Sequence, residues 1–319
     1  MQENLRPASP VKIAVVGAGN VGSSFAYALL LSGLAAEIVL IDANRAKAEG
    51  EVMDLEHSAP FAPSVRLRAG SYEDCAGAVV TVVTAGANQK PGEPRLDLVR
   101  KNAGIFGQII PAVAAANPDG LLLIATNPVD VLTRLSLRLS GLPAQRVLGS
   151  GTILDTARFR HFIGRRLGVS PRSVSAHIIG EHGDSEVPVW SLAGIAGMRL
   201  GDFARAQGLE LTAEHKDEIY RATRDAAYHI IERKGATHYA IGAGLLEIVA
   251  AIVRDEDAVL PVCSLIQNYN GLPESCFGLP SIVNRSGVAR AIHLDLDGAE
   301  HAALERSLQV LEASMAQLS

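Results

Sequence analysis

Cysteine is scarce: Cys75, Cys263 and Cys276 are the whole set, and they lie far apart without a CxxC pair. That excludes a disulfide framework and the common zinc patterns, so no metal site is expected and a reducing compartment is indicated. Blocks of basic residues are missing too. The formal net charge of the 319 residues is −5, with both signs spread along the chain, which argues against nucleic acid as a partner. No apolar run approaches the ~18 residues that span a bilayer, so no membrane partner is expected. Residues 1–10 are polar and lack the apolar stretch of a signal peptide. A cytoplasmic location follows as the expectation. Internal repeats and low-complexity tracts are also lacking.

The chain does contain enough apolar residues, 48%, for a sizeable core. Its length suits two domains better than one, with a boundary expected between residues 149 and 150. The first half alternates strand and helix. Strands are expected at Val11–Val16, Glu37–Asp42, Val65–Leu67, Ala78–Thr84, Gly120–Thr126 and Arg146–Gly149. Helices are expected at Ser23–Leu31, Asn44–Glu56, Leu96–Ala116 and Val129–Leu139. Several of the strands are apolar throughout rather than alternating, the mark of a parallel sheet covered on both faces. The fold class expected is α/β: a doubly wound Rossmann sheet followed by a mixed α+β catalytic domain. In the second half, a hairpin of Val174–Ile179 with Val187–Trp190 is expected. A long helix from Thr212 to Arg233, a helix from Ala240 to Val253, three antiparallel strands and a terminal helix follow.

Gly17-Ala18-Gly19-Asn20-Val21-Gly22 sits between the first strand and the first helix, and Asp42 stands twenty residues past Gly22. A lone GxGxxG is a weak signal, but here it has its context. Gly17 permits the tight turn, Gly19 lets the backbone approach a pyrophosphate, and Gly22 lets helix and strand pack closely. The start of the following helix offers free N–H groups to phosphate, and Val21, within the motif, is counted with the glycines among the cofactor-binding residues. Asp42 can bond both ribose hydroxyls and would repel an extra 2′-phosphate, so NAD is favoured over NADP.

Three further stretches carry candidate chemistry. Gly86 to Arg95 is a loop punctuated by two glycines and two prolines, beside the point where strand order should reverse. Composition allows it to be either a cover over a substrate or an ordinary solvated loop. Ser150–Arg160 begins a helix, with Ser150 or Thr152 as its cap. Asp155 and Arg158 share a face of it. Ile179-Gly180-Glu181-His182-Gly183-Asp184-Ser185-Glu186 places a histidine at the end of a strand, between two glycines and among three carboxylates. Histidine takes or gives a proton near neutrality, although a histidine in a turn is by itself an ordinary feature.

These motifs, taken jointly, resemble the lactate/malate dehydrogenase family, and within it the bacterial L-lactate dehydrogenases. The resemblance runs nearly end to end. It covers GAGNVGSSFAYALL, GANQKPGEPRLDLVRKN, TNPVD, SGTILDTARFR, IIGEHGDSEVPVW and KGATHYAIG. It implies that His182 is the proton donor and acceptor, with Asp155 as its carboxylate partner. It implies that Arg158 grips the substrate carboxylate and that Arg95 polarises the carbonyl. Asn127 would bond the reacting oxygen and border the cofactor, and Thr237 would line the pocket. Gln89 would read the substrate side chain. A homotetramer is implied as well. Relatives activated by fructose 1,6-bisphosphate use an arginine and a histidine at a subunit interface. Arg160 stands at the arginine position, but Ser175 stands at the histidine position with His177 two residues on, which argues against that activation.

The resemblance implies a reaction: NAD-dependent interconversion of pyruvate and L-lactate, a small 2-keto and 2-hydroxy acid pair. Malate dehydrogenases of the family are expected to carry an arginine where Gln89 stands. Facing neutral Gln89, oxaloacetate would bring a buried, unpaired charge. A malate or other 2-hydroxy acid dehydrogenase is the nearest alternative, and a non-catalytic NAD-binding module the remote one.

Overall fold

The computed structural model describes residues 10–87 and 95–317, with the side chains of residues 95 and 96 outside the description. In chain order the elements begin with β1 (Lys12–Val16), α1 (Asn20–Ser32), β2 (Glu37–Ile41), α2 (Arg45–Glu56), β3 (Arg66–Gly70) and β4 (Val80–Val83). Next come α3 (Arg95–Ala116), β5 (Leu121–Ile124), α4 (Val129–Ser140), β6 (Val147–Gly149) and α5 (Ile153–Leu167). Then follow β7 (Val174–Ile179), β8 (Val187–Ile195), β9 (Met198–Arg199), α6 (Leu200–Ala206), α7 (Ala213–Arg224), α8 (Ala226–Lys234) and α9 (Tyr239–Arg254). The chain closes with β10 (Ala258–Ile266), β11 (Ser275–Asn284), β12 (Gly287–Ala291) and α10 (Gly298–Ala316).

Among the described residues, nine strands form one sheet in the order β3-β2-β1-β4-β5-β6-β10-β11-β12. The six strands from β3 to β6 are parallel. Their order reverses between β1 and β4, which is where a doubly wound sheet opens a crevice at its carboxyl ends. β4 and β5 are buried along their whole length, as their apolar sequences require. Apolar side chains of α1, α9, β1, β2 and β5 pack into one cluster on one face. Those of α3, α4 and the other strand faces form a second cluster.

One feature goes beyond the sequence expectation and one departs from it. The antiparallel strands β10, β11 and β12 are not a separate sheet: β10 pairs with β6 through Cys263 and Gly149, extending the first half's sheet. Glycine is required at 149 by the helix packed over this strand, since a Cβ there would sit 2.3 Å from Thr133 Oγ1 of α4 and 3.1 Å from Cys263 Cβ. The expected long helix over residues 212–233 is divided at Asp225 into α7 and α8. The Asp225 N–H closes the first part by bonding the carbonyls of Arg221 and Thr223. A three-stranded antiparallel sheet, β7-β8-β9, forms the second layer and carries the His182 loop. No described helix is long and apolar enough to cross a membrane.

Candidate active site

The first turn of α5 is stitched to β7. Thr152 takes the N-cap position, yet its hydroxyl donates to the carbonyl of Ile178 at 2.6 Å rather than capping the helix. One turn on, Thr156 Oγ1 accepts the Ile178 N–H at 3.0 Å. Both backbone groups of a residue four before the histidine are thus held by the helix that carries Asp155. Gly180, at φ +86°, turns the chain out of β7 and exchanges two backbone hydrogen bonds with Gly278, each 2.9 Å. A Cβ at Gly180 would meet Ser307 Oγ at 2.7 Å, so the turn admits only glycine.

His182 Nδ1 then lies 2.5 Å from Asp155 Oδ2, and the Arg158 guanidinium donates to Asp155 Oδ1 at 3.0 Å. One carboxylate, 3% exposed, therefore serves two cations. It occupies the first turn of α5, where the helix dipole favours negative charge. Burial works against charge on the His182 ring, but Asp155 outweighs it and raises the ring to about 9, so it is imidazolium at neutral pH. Asp155 moves the other way: burial alone would raise it, and the charges of His182 and Arg158 hold it below the usual carboxylate range.

The acids flanking the histidine are engaged elsewhere. Glu181 accepts the Ser185 hydroxyl at 2.5 Å, closing the turn, and Asp184 accepts the Tyr228 hydroxyl at 2.8 Å. Glu186 is buried, with Oε1 lacking a hydrogen-bond partner among the described residues. Burial and the neighbouring Asp155 push it well above the usual range, so it is a neutral acid at pH 7.

Sequence reasoning missed Asp130, whose Oδ2 accepts the His182 backbone N–H at 2.7 Å. A carboxylate in the first turn of an amphipathic helix, within TNPVD, was the available signal. It also missed Asn102, fully buried, whose side chain accepts from Ala87 N–H at 2.7 Å and donates to the Asn127 carbonyl at 2.8 Å. Asn127 itself is exposed just before α4, and Thr237 is partly buried just before α9. Gln89 and the side chain of Arg95 lie outside the described residues. Arg160 donates from Nε to the Ala176 carbonyl at 2.9 Å, where the pairing of β7 with β8 shifts register. Beside it, burial and then the Arg160 charge depress His177 to about 4.

The nucleotide cradle fits NAD. A Cβ on Gly17 (φ +113°) would strike Ala85 N at 2.5 Å, and one on Gly22 would strike the Gly17 carbonyl at 1.9 Å. At Gly19 a Cβ would meet nothing within 4 Å, which leaves open the side a pyrophosphate would approach. Val21, in the first turn of α1, packs partly buried against the core. Asp42 accepts the N–H groups of Ala18 at 2.7 Å and Asn44 at 2.8 Å, tying this carboxylate to the glycine turn.

Residues 11–149 match the NAD-binding domain of lactate/malate dehydrogenase, and residues 152–319 match that family's α/β C-terminal domain. The chain belongs to the lactate/malate dehydrogenase family. It is 51% identical to a probable L-lactate dehydrogenase of Schizosaccharomyces pombe, over 95% of this chain and 91% of that protein. To an L-lactate dehydrogenase of Clostridium botulinum it is 46% identical, over 98% of each. The crystal structure of the minor L-lactate dehydrogenase of Enterococcus mundtii, in its ligands-bound form, superposes with a TM-score of 0.94. It shares 43% identity, covering 97% of this chain and 99% of that one. The expected family and fold class, and the expected NAD dependence, are borne out by these matches.

Proposed function

We propose that the chain is an NAD-dependent L-lactate dehydrogenase, reducing pyruvate to L-lactate and running the reverse. Residues 1–149 form its NAD-binding unit and residues 150–319 its substrate unit. The observation that carries this reading is the Asp155 carboxylate shared between His182 and Arg158. Full-length identity to L-lactate dehydrogenases supports it.

Bound NAD supplies hydride chemistry at the substrate's C2. The chain's residues do the rest. With Nδ1 committed to Asp155, His182 presents Nε2, which gives its proton to the carbonyl oxygen in reduction and recovers it in oxidation. The guanidinium of Arg158 binds the substrate carboxylate with two parallel bonds, fixing orientation as well as charge. Arg95 stabilises the charge growing on the carbonyl oxygen, and Asn127 donates to that oxygen. Thr237 lines the pocket, and neutral Gln89 disfavours a second carboxylate on the substrate. Gly17, Gly19, Val21, Gly22 and Asp42 hold NAD, with Asn127 at its nicotinamide end.

The enzyme is read as a cytoplasmic homotetramer. Exposed Ile230, Ile231 and Tyr239 support association of copies. Loss of NADH absorbance with pyruvate, compared with oxaloacetate at equal concentration, tests the function. Faster turnover of oxaloacetate would replace it with a malate dehydrogenase, and no turnover of either would leave an NAD-binding module.

A further inference from the structure

His182 is held from two sides. Asp155 of α5 takes its ring, and Asp130 of α4 takes its backbone N–H. Asp130 is 2% exposed, and its second oxygen, Oδ1, has no hydrogen-bond partner among the described residues. The thiol of Cys263, on β10, neighbours the carboxyl. A buried carboxyl with one unmatched oxygen is costly to keep, and packing alone would be served better by an apolar side chain. Beyond the weak donor that the Cys263 thiol offers, its 2.7 Å hydrogen bond goes to the residue that moves the proton.

We propose that Asp130 is a positioning residue for the reaction, fixing the His182 backbone so that one ring conformation reaches both Asp155 and the substrate oxygen. The proposal rests on the reading of His182 as the proton donor. Two effects follow. The hydrogen bond holds the loop, which must place Nε2 within a few tenths of an ångström of its target. The carboxylate also adds negative charge near the imidazolium and helps keep it protonated.

Titratable groups facing Asp130 come from three elements. His182 and Glu181 come from the loop after β7, Cys263 from β10 and Cys276 from β11. Facing His182 are Asp155 from α5, Asp130 from α4 and Glu186 from the loop before β8. Both cysteine thiols are pushed upward by burial, so they stay neutral across the working range. Burial pushes the Asp130 carboxyl up to about 6, so it is ionised where the basic limb is read. Glu186 titrates near the same limb as His182 and is present in every variant, so the shift is read as the difference between Asp130→Asn and the unaltered enzyme.

The test compares Asp130→Asn and Asp130→Leu with the unaltered enzyme, reading kcat, KM for pyruvate, NADH affinity by fluorescence and the pH profile of kcat/KM. Asparagine keeps an acceptor oxygen and drops the charge; leucine drops both at similar size. For Asp130→Asn, kcat should fall only severalfold while the basic limb of the profile moves down by about half a pH unit or more. For Asp130→Leu, kcat should fall roughly 10–100-fold with NADH affinity retained. An unmoved basic limb in Asp130→Asn, or equal loss of kcat in both variants, overturns the proposal. Should Asp130→Leu not fold, the Asp130→Asn profile decides alone. If the unaltered enzyme does not turn over pyruvate, it is the functional reading that fails.

Discussion

Asp155 and His182 stand 27 residues apart in the chain and meet at 2.5 Å, oxygen to ring nitrogen. Neither element of the contact is free to drift, because Thr152 and Thr156 clamp the strand end that leads to the histidine. Asp155→Asn keeps the shape and removes the charge that holds the ring near 9. The basic limb of the pyruvate-reduction profile should move to lower pH, and kcat at pH 7.5 should fall by about 10²-fold or more. Steady-state kinetics from pH 5.5 to 10 check both.

The same pair sets a pH window for stability. His182 is raised in the folded chain, so its contribution is complete below the unfolded value of about 6.5 and disappears as pH rises through about 9. Asp155 is lowered, so its contribution is present above the unfolded carboxylate value and is lost as pH falls through its folded one. His182→Gln should therefore cost most stability between roughly pH 5 and 6.5 and progressively less toward pH 9.5. Urea midpoints of the two proteins across that range measure the difference.

Glu186 stays neutral at pH 7 and ionises only in alkaline solution, where it places a second negative charge in the cluster of Arg158 and Asp155. Its ionisation should repel the incoming 2-keto acid anion. KM for pyruvate should rise with alkaline pH, and Glu186→Gln should flatten that rise by severalfold at pH 9.5. Plots of log KM against pH for both proteins give the comparison.

Asn102 is buried with both ends of its amide on backbone groups. Asn102→Leu leaves the Ala87 N–H and the Asn127 carbonyl unmatched, and should cost about 2–4 kcal/mol. Chemical unfolding reads the loss. KM for pyruvate should rise as well, because Asn127 moves with its carbonyl.

Gln89→Arg should raise the preference for oxaloacetate over pyruvate by about 10² or more, since a buried second carboxylate then finds a partner. Paired kinetics on both acids measure the ratio.

Much of this was legible from sequence, and unevenly so. The nucleotide cradle was, because Gly17, Gly19, Gly22 and Asp42 lie within one strand–helix–strand unit whose spacing is set by local geometry. The pairing of His182 with Asp155 was reached only through resemblance; spacing pointed instead to Glu181 and Asp184, which the fold assigns to Ser185 and Tyr228. Asp130 carried no sequence signal strong enough to name it, since its role depends on α4 packing beneath a loop far along the chain. The union of β10 with β6 was hidden for the same reason: Gly149 and Cys263 each look ordinary in their own segments. Amphipathic periodicity ran on through Asp225, so the division of the long helix did not show in it.

That union of strands has a consequence for anyone recombining such chains. A hybrid joined at residue 150 would splice through a continuous sheet, not a linker. Its incoming half would have to present β10 to a foreign edge strand at a spot where residues 149 and 151 both have to be glycine: a Cβ on Gly151 would lie 2.3 Å from Cys263 N. Parents lacking glycine at 149 and 151 should give insoluble hybrids, whereas parents sharing both should interchange their halves.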